Sequence, residues 1–284
     1  MLRYRILSVL VIVSLSLPLS PNCRASSAGV SIFELPVNAR NLGMGKVYAG
    51  LNHENFGLLD GPALTSLYSN PFGELTYATA EFRGAHFGIS YRELRYGELT
   101  ERDFRGNPTG DTFRYRCRGI TGLLNGSINN VRFGVKGRVL QKRTGVNYIG
   151  GSLSSSLTWE ISPFILGAGF SNLITSEILE PGEGSGPWKR ELTIGLGFNG
   201  DRFNLGMDLE AELHERGVEP NGIRLGAEWW LTNFAALRTG IVDQQRHTIG
   251  WGIRGKNVRI NYALFHHSEL PESHFVSFSW VFGD

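Results

Sequence analysis

The feature that most constrains this chain is an alternation of apolar and polar residues with a period of two, which runs through most of the sequence after Glu74. Residues 204–213 show it most clearly: Leu, Met, Leu, Ala and Leu fall on one face, and Asn, Gly, Asp, Glu and Glu fall on the other. Residues 131–139 and 191–198 repeat the scheme. A helix would space its apolar residues three or four apart, so this pattern predicts β-strands.

Turn signals divide the alternating region into separate strands. Asn125-Gly126, Ser162-Pro163 and Asn199-Gly200 are examples of such signals. Thirteen candidate strands result, at 74–83, 85–96, 111–123, 129–142, 146–160, 164–173, 189–199, 202–213, 222–231, 234–243, 246–255, 257–266 and 273–282. The stretch 42–51 would be a fourteenth.

The connections between these strands are mostly short and long in turn, which is typical of bacterial outer-membrane barrels. Many strands reach the roughly 9–11 residues that a tilted spanning strand needs. Aromatic residues lie near strand ends, as expected of a girdle at the lipid headgroups. The sequence therefore predicts an all-β fold, a closed antiparallel transmembrane β-barrel of about 14 strands (12–14) with an N-terminal segment plugging the lumen. A large exported β-sandwich is the alternative, because it also alternates.

The N-terminus has the pattern of an export signal. Arg3 and Arg5 precede a short apolar run, and small residues follow, so residues 1–25 form a predicted signal peptide cleaved after Ala25 or Ala28. We therefore expect the mature protein in the bacterial outer membrane, with outer-membrane lipid as a partner. The formal net charge is +2, and the sequence shows no basic concentration that would indicate a nucleic-acid partner.

Residues 38–50 contain three glycines but do not predict a phosphate site. The third glycine of a dinucleotide fingerprint is displaced to Gly50, and Val47 stands where a Walker loop needs Ser or Thr. Two alternatives remain for residues 42–51: a glycine-rich first strand or a plug inside the lumen. Inward glycines of the wall would leave room for a plug; they are Gly195, Gly197, Gly250 and Gly252. We assign 29–73 to this plug or first strand and 74–284 to the barrel.

The same stretch carries a resemblance to a known family. It contains Ala39-Arg40, then Gly43-Met44-Gly45, then Asn70-Pro71. In this order the motifs resemble the N-terminus of the PorV/PorQ family of the FadL-like group, and later segments such as 223–241 are similar too. The resemblance implies one of two roles. Some relatives move hydrophobic small molecules through the barrel and its wall, and others hold secreted protein cargo at the outer membrane.

Charged residues on the polar faces are the candidate functional residues. We expect these side chains to line the lumen: Arg114, Arg116, Arg118, Arg132, Lys136, Arg138, Asp208, Glu210 and Glu212. Buried charges are kept when they are paired, so mutual neutralisation is one interpretation. The other is a charged path that selects solutes.

Enzyme chemistry has a weak basis in this sequence. His266 and Ser268 share a face, but a hydrolase also needs a group that orients the base. No histidine pair has the spacing of a metal site. We therefore expect a protein that is not an enzyme and has no cofactor or metal. Cys117 shares a register with Phe113 and Tyr115, which predicts that it faces lipid.

Overall fold

A computed structural model describes residues 32–49, 62–70, 75–102, 107–143, 147–178, 188–215, 217–242, 246–266 and 271–282. The predicted signal peptide and Pro71 lie outside these ranges. Within them, fourteen antiparallel strands follow one another around a closed barrel, and β1 completes the ring by pairing with β14. No helix in the described part is long and apolar enough to span a membrane.

The strands have the following bounds: β1 Ala63–Ser69, β2 Leu75–Arg83, β3 Phe87–Arg102, β4 Pro108–Ile128, β5 Val131–Arg143, β6 Asn147–Ile161, β7 Phe164–Ile178, β8 Glu191–Asn199, β9 Phe203–His214, β10 Gly217–Trp230, β11 Ala235–Val242, β12 Arg246–Arg254, β13 Val258–His266 and β14 Ser273–Val281.

The outer face of the barrel is apolar. Side chains such as Leu64, Ile89, Ile120, Leu157 and Phe278 point outward and are between 42% and 54% exposed. An apolar belt around a whole protein would be unfavourable in water, whereas acyl chains accept it. Closure of the sheet leaves no unpaired edge in the hydrocarbon. The protein is therefore an outer-membrane β-barrel, as the alternation predicts.

The two rims of the barrel differ in the length of their connections. Turns of two to four residues join β2 to β3, β4 to β5, and each later pair up to β12 and β13. Ala63 at the start of β1 lies on this rim, opposite Val281 at the end of β14. Outward Trp159, Trp229 and Trp280 lie close to it. Turns that are short throughout mark the periplasmic side, and the other rim, whose connections run from two to twelve residues, is extracellular.

The first strand differs from the one predicted. Residues 42–49 do not form a strand; α1, Ala39–Gly43, runs into a turn over 44–46. The fourteenth strand is β1, Ala63–Ser69, which lies before the predicted start of the barrel at residue 74. Its alternation is hard to recognise because a polar residue, Ser66, lies on the outer face and an apolar residue, Leu67, lies on the inner face.

Residues 32–49, which we call the inner segment, lie against the inner face of the wall. The segment begins with a 3₁₀ turn, Ile32–Glu34, and continues to α1. The Asn38 side chain caps α1 by accepting a hydrogen bond of 2.7 Å from the Arg40 amide. Helix α1 contacts β11, β12, β13 and β14.

Candidate functional site in the barrel lumen

The inner segment approaches the wall where the wall has glycines. A Cβ added to Gly226 or Gly240 would collide with backbone atoms of Met44 or Gly45. Gly45 itself has a φ of +64°, and a Cβ there would lie 2.8 Å from the backbone nitrogen of Ile241. Glycine is required here both for conformation and for space.

The four wall glycines that the sequence analysis expected to make room for a plug have different surroundings. A Cβ on Gly250 would lie 3.1 Å from the Cα of Gly43, so this glycine does make room for the segment. Gly252 instead faces the Arg238 guanidinium. Gly195 and Gly197 are buried.

The motif residues of the N-terminus divide between two places. Ala39, Gly43, Met44 and Gly45 belong to the inner segment, and Ala39 and Met44 are fully buried. Asn70 is exposed at the extracellular end of β1.

Polar groups of the wall hold the segment by its backbone. The Ala39 amide donates to Ser277 Oγ at 3.2 Å, and the Gly45 amide donates to Thr248 Oγ1 at 3.2 Å. One oxygen of Asp208 accepts from the amides of Tyr48 and Ala49, at 2.6 and 2.9 Å. These contacts satisfy backbone donors that would otherwise be buried unpaired.

The strongest contact is a buried charge network around Glu228. Its carboxylate accepts from Arg40 Nη2 at 2.6 Å and Arg40 Nε at 2.8 Å, and from Arg238 Nε at 2.7 Å. Asn204 Nδ2 adds a bond of 2.8 Å. The Glu228 side chain is 0% exposed and the Arg238 side chain 1%. Two arginines thus share one carboxylate, and Arg40 joins the inner segment to β10 and β11.

The acidic residues predicted for the lumen do face inward. Asp208 binds the inner segment, and Glu210 forms an ion pair of 2.7 Å with Arg224. Glu212 pairs with Lys189 at 2.8 Å. These pairs agree with the neutralisation interpretation, although the selective role stays a prediction.

The basic residues predicted on β5 also face inward. Arg132 pairs with Glu160 at 3.1 Å near the periplasmic rim. Lys136 and Arg138 line a cavity of about 120 Å³ beside the inner segment. The Arg138 guanidinium lies 5.3 Å from the centre of the Phe33 ring, within range of a cation–π contact.

The prediction that the arginines of β4 line the lumen is wrong. Arg114, Arg116 and Arg118 share the outward face with Ile120 and do not line the lumen. Strand β4 has 21 residues, so its extracellular part projects beyond the hydrocarbon, and outward positions there need not be apolar. The same parity turns Cys117 inward, where it is 3% exposed, and not toward lipid.

Lys46 adds a positive charge at the C-terminal part of the inner segment. Its ammonium lies 5.7 Å from the centre of the Phe265 ring. Burial, together with the neighbouring charges of Arg224 and Arg246, lowers the pKa of Lys46 to about 8.

Part of the extracellular half of the lumen is apolar, beside charged inward side chains such as Glu212 and Arg246. Inward side chains of the wall meet Ile32 and Phe33 of the inner segment in one buried cluster. We call it the apolar cluster; its wall members include Leu67, Tyr77, Leu94, Cys117, Leu140, Tyr148, Val242, Phe265 and Phe275. Trp188 packs on it and stacks on Phe33 with ring centroids 5.7 Å apart. The charged residues around Glu228 lie on the periplasmic side of this cluster.

The residues considered for hydrolase chemistry are not assembled in the described part of the chain. His266 is exposed on the outer face of β13, with its Nδ1 3.4 Å from Glu272 Oε1. Ser268 lies outside the described residues. No three His, Cys, Asp or Glu side chains converge as metal ligands in the ranges described.

Sequence reasoning missed Glu228 and Arg238. Both continue an inward face that the alternation shows: Arg224, Gly226 and Glu228 on β10, and Ala236, Arg238 and Gly240 on β11. An opposite-charge pair at matching inward positions of consecutive strands was the available signal.

Comparison with known proteins supports the architecture. No family model and no curated protein matches this sequence. Among solved structures, the P. putida toluene transporter TodX is 12% identical, with a TM-score of 0.56 over 87% of this chain and 99% of its own. The CymD monoaromatic hydrocarbon channel is 10% identical, with a TM-score of 0.58 over 87% and 98%. At these identities the likeness establishes the fold, which is that of an outer-membrane β-barrel.

Proposed function

We propose that this protein transports hydrophobic small molecules across the outer membrane and that the inner segment acts as its plug. The apolar cluster in the extracellular half of the lumen is the observation that carries the proposal. Barrels that conduct hydrophilic solutes have a polar interior, because water fills it. Here aromatic and aliphatic side chains from β1 to β6, β11, β13 and β14 pack into the extracellular half of the lumen.

A hydrophobic solute gains free energy from such a surface. Removing apolar area from water contributes about 25 cal/mol per Å². Tyr115 is partly buried near the rim, whereas Tyr148 and Phe275 are 3% exposed, so a solute gains their apolar area only when the cluster opens. The similarity to a toluene transporter and a monoaromatic hydrocarbon channel supports the same substrate class.

Passage toward the periplasm then requires a rearrangement. The inner segment is bonded to β9, β12 and β14 through Asp208, Thr248 and Ser277. The Glu228 network lies on the periplasmic side of the apolar cluster. An apolar solute is unfavourable there, because it cannot form hydrogen bonds with the charged groups. We therefore propose that the inner segment moves when a solute crosses.

The test is uptake of radiolabelled toluene by intact cells that carry the protein, since lipopolysaccharide slows passive entry. Leu94→Asn places an amide in the apolar cluster and should lower uptake at least about 30-fold, because losing apolar contact and burying an unpaired polar group together cost at least about 2 kcal/mol. Thr121→Asn, also inward and buried but outside the cluster, is the control. Heat-modifiable gel mobility confirms that both variants fold. Uptake no faster than in cells lacking the protein would contradict the proposal.

The secretion role that the family resemblance implies stays a prediction. It requires a stable protein partner after gentle solubilisation, and no hydrocarbon uptake. An esterase role requires that His266→Ala abolish a measurable esterase activity; normal activity in that variant would remove it.

A further inference from the structure

A group of arginines on the outer face of the barrel has no part in the lumen. Arg95, Arg116 and Arg118 all point outward and share the carboxylate of Glu93. Their nitrogens lie 2.6, 2.6 and 3.2 Å from its oxygens. We call these four residues the outer arginine cluster. Three positive charges against one negative charge leave it a net charge of +2.

The cluster is accessible and ordered by its own carboxylate. The side chains of Arg95, Arg116 and Arg118 are 57%, 37% and 36% exposed, whereas Glu93 is only 11% exposed beneath them. Each guanidinium carries five N–H donors, and Glu93 receives one bond from each. Each of the three planar groups therefore keeps donors that Glu93 does not take.

The height of the cluster matches the lipid headgroups of the outer leaflet. On β4 the outward residues Ile128, Leu124 and Ile120 are apolar, and Arg118 is the next polar one. A strand that rises about 3.3 Å per residue and tilts by about 40° climbs roughly 25 Å between Ile128 and Arg118. That is the height of the apolar band of an outer-membrane barrel, so Arg118 begins the interface.

The neighbouring strands repeat this order. On β3, Phe87, Ile89 and Tyr91 precede Glu93 and Arg95 along the outer face. On β5, Val135 and Val139 precede the exposed Arg143, whose register partner is Arg116. The change from apolar to polar therefore occurs at one level on three adjacent strands, at Glu93, Arg118 and Gln141.

We propose that the outer arginine cluster binds the phosphate groups of an anionic lipid of the outer leaflet. Planar guanidinium groups match phosphate oxygens with paired hydrogen bonds, and the site lies on the lipid-facing surface at headgroup height. Glu93 orients the guanidinium groups, and its negative charge reduces the repulsion among the three positive charges. The lipid would fix the depth of this sector of the barrel. This assignment is independent of the transport proposal.

The experiment measures binding of bisphosphorylated lipid A and of enzymatically dephosphorylated lipid A to the purified full chain in nanodiscs. Wild-type protein should prefer the phosphorylated lipid, and salt should weaken that preference. The double variant Arg116→Gln, Arg118→Gln should bind the phosphorylated lipid about 30-fold more weakly, since each basic residue at a membrane surface contributes about 1 kcal/mol.

A charge-matched control is Arg202→Gln, Lys256→Gln, which removes two exposed positive charges on the periplasmic rim and should leave binding unchanged. If the double variant does not fold, Arg95→Gln, which alters the most exposed arginine, should still lower binding about fivefold. Equal binding by variant and wild type would overturn the proposal, as would equal binding of the dephosphorylated lipid or a requirement for a protein partner.

Discussion

At the scale of single residues, Glu228 has the most demanding environment in the lumen. It is buried completely and pairs with two arginines that approach it from the inner segment and from β11, so the three side chains keep a net charge of +1. The attraction of a buried pair offsets a large desolvation cost only while both partners are present. Removing the one carboxylate would leave two unpaired guanidinium groups side by side.

We expect Glu228→Gln to lower the free energy of unfolding by about 3–5 kcal/mol, because it leaves Arg40 and Arg238 without a counter-charge. Guanidinium unfolding in detergent micelles, followed by tryptophan fluorescence, measures the change. Glu160→Gln is the matched control: its pair with Arg132 is one third exposed, so the loss should be below about 1 kcal/mol. Equal losses in the two variants would show that the Glu228 network does not stabilise the barrel.

At the scale of elements, the sequence predicted strands better than the faces of their outer ends. Thirteen strands follow from the alternation because each spanning stretch must place apolar residues toward lipid. Beyond the hydrocarbon that requirement ends, so Phe113, Tyr115 and Cys117 carried no information about which side faced the membrane. Strand β1 was not predicted because Leu67 and Tyr68 are both apolar although they lie on opposite faces, which interrupts the alternation.

The contacts of the inner segment were only partly predictable for a related reason. Glycines at Gly43 and Gly45 indicated close backbone approach, but the wall glycines that they meet, Gly250 and Gly240, are about 200 residues further along the chain. The closure of the barrel and the register of its strands decide which glycines come together. A single sequence contains no direct record of that register.

Cross-linking tests whether the inner segment moves as an element. Ala39→Cys with Ser277→Cys, in a Cys117→Ala background, places two thiols where a backbone amide now donates to a serine hydroxyl at 3.2 Å. Oxidation should tie α1 to β14 and reduce toluene uptake to the level of cells lacking the protein, and a reductant should restore it. Ser277→Cys alone should respond to neither treatment. Undiminished uptake by the oxidised pair would show that solute passage does not need this segment to move.

At the scale of the whole molecule, the protein is a closed cylinder with three distinct regions. The outside is apolar and ends in charge at the extracellular interface. Inside, the apolar cluster occupies part of the extracellular half beside charged residues such as Glu212, and the buried Glu228 network lies in the periplasmic half. The inner segment connects the last two, since Phe33 lies in the apolar cluster and Arg40 in the Glu228 network. If the inner segment is a plug, the lumen is occluded at rest.

Ionic conductance in planar bilayers tests that occlusion most directly. The full-length mature chain should show little or no conductance, because the inner segment occupies the lumen. Deleting residues 38–50 leaves Glu228 paired with Arg238 and should produce stable, stepwise conductance at least several-fold above that of the parent. Equal conductance of the two proteins, with both shown to be folded by heat-modifiable mobility, would contradict the account.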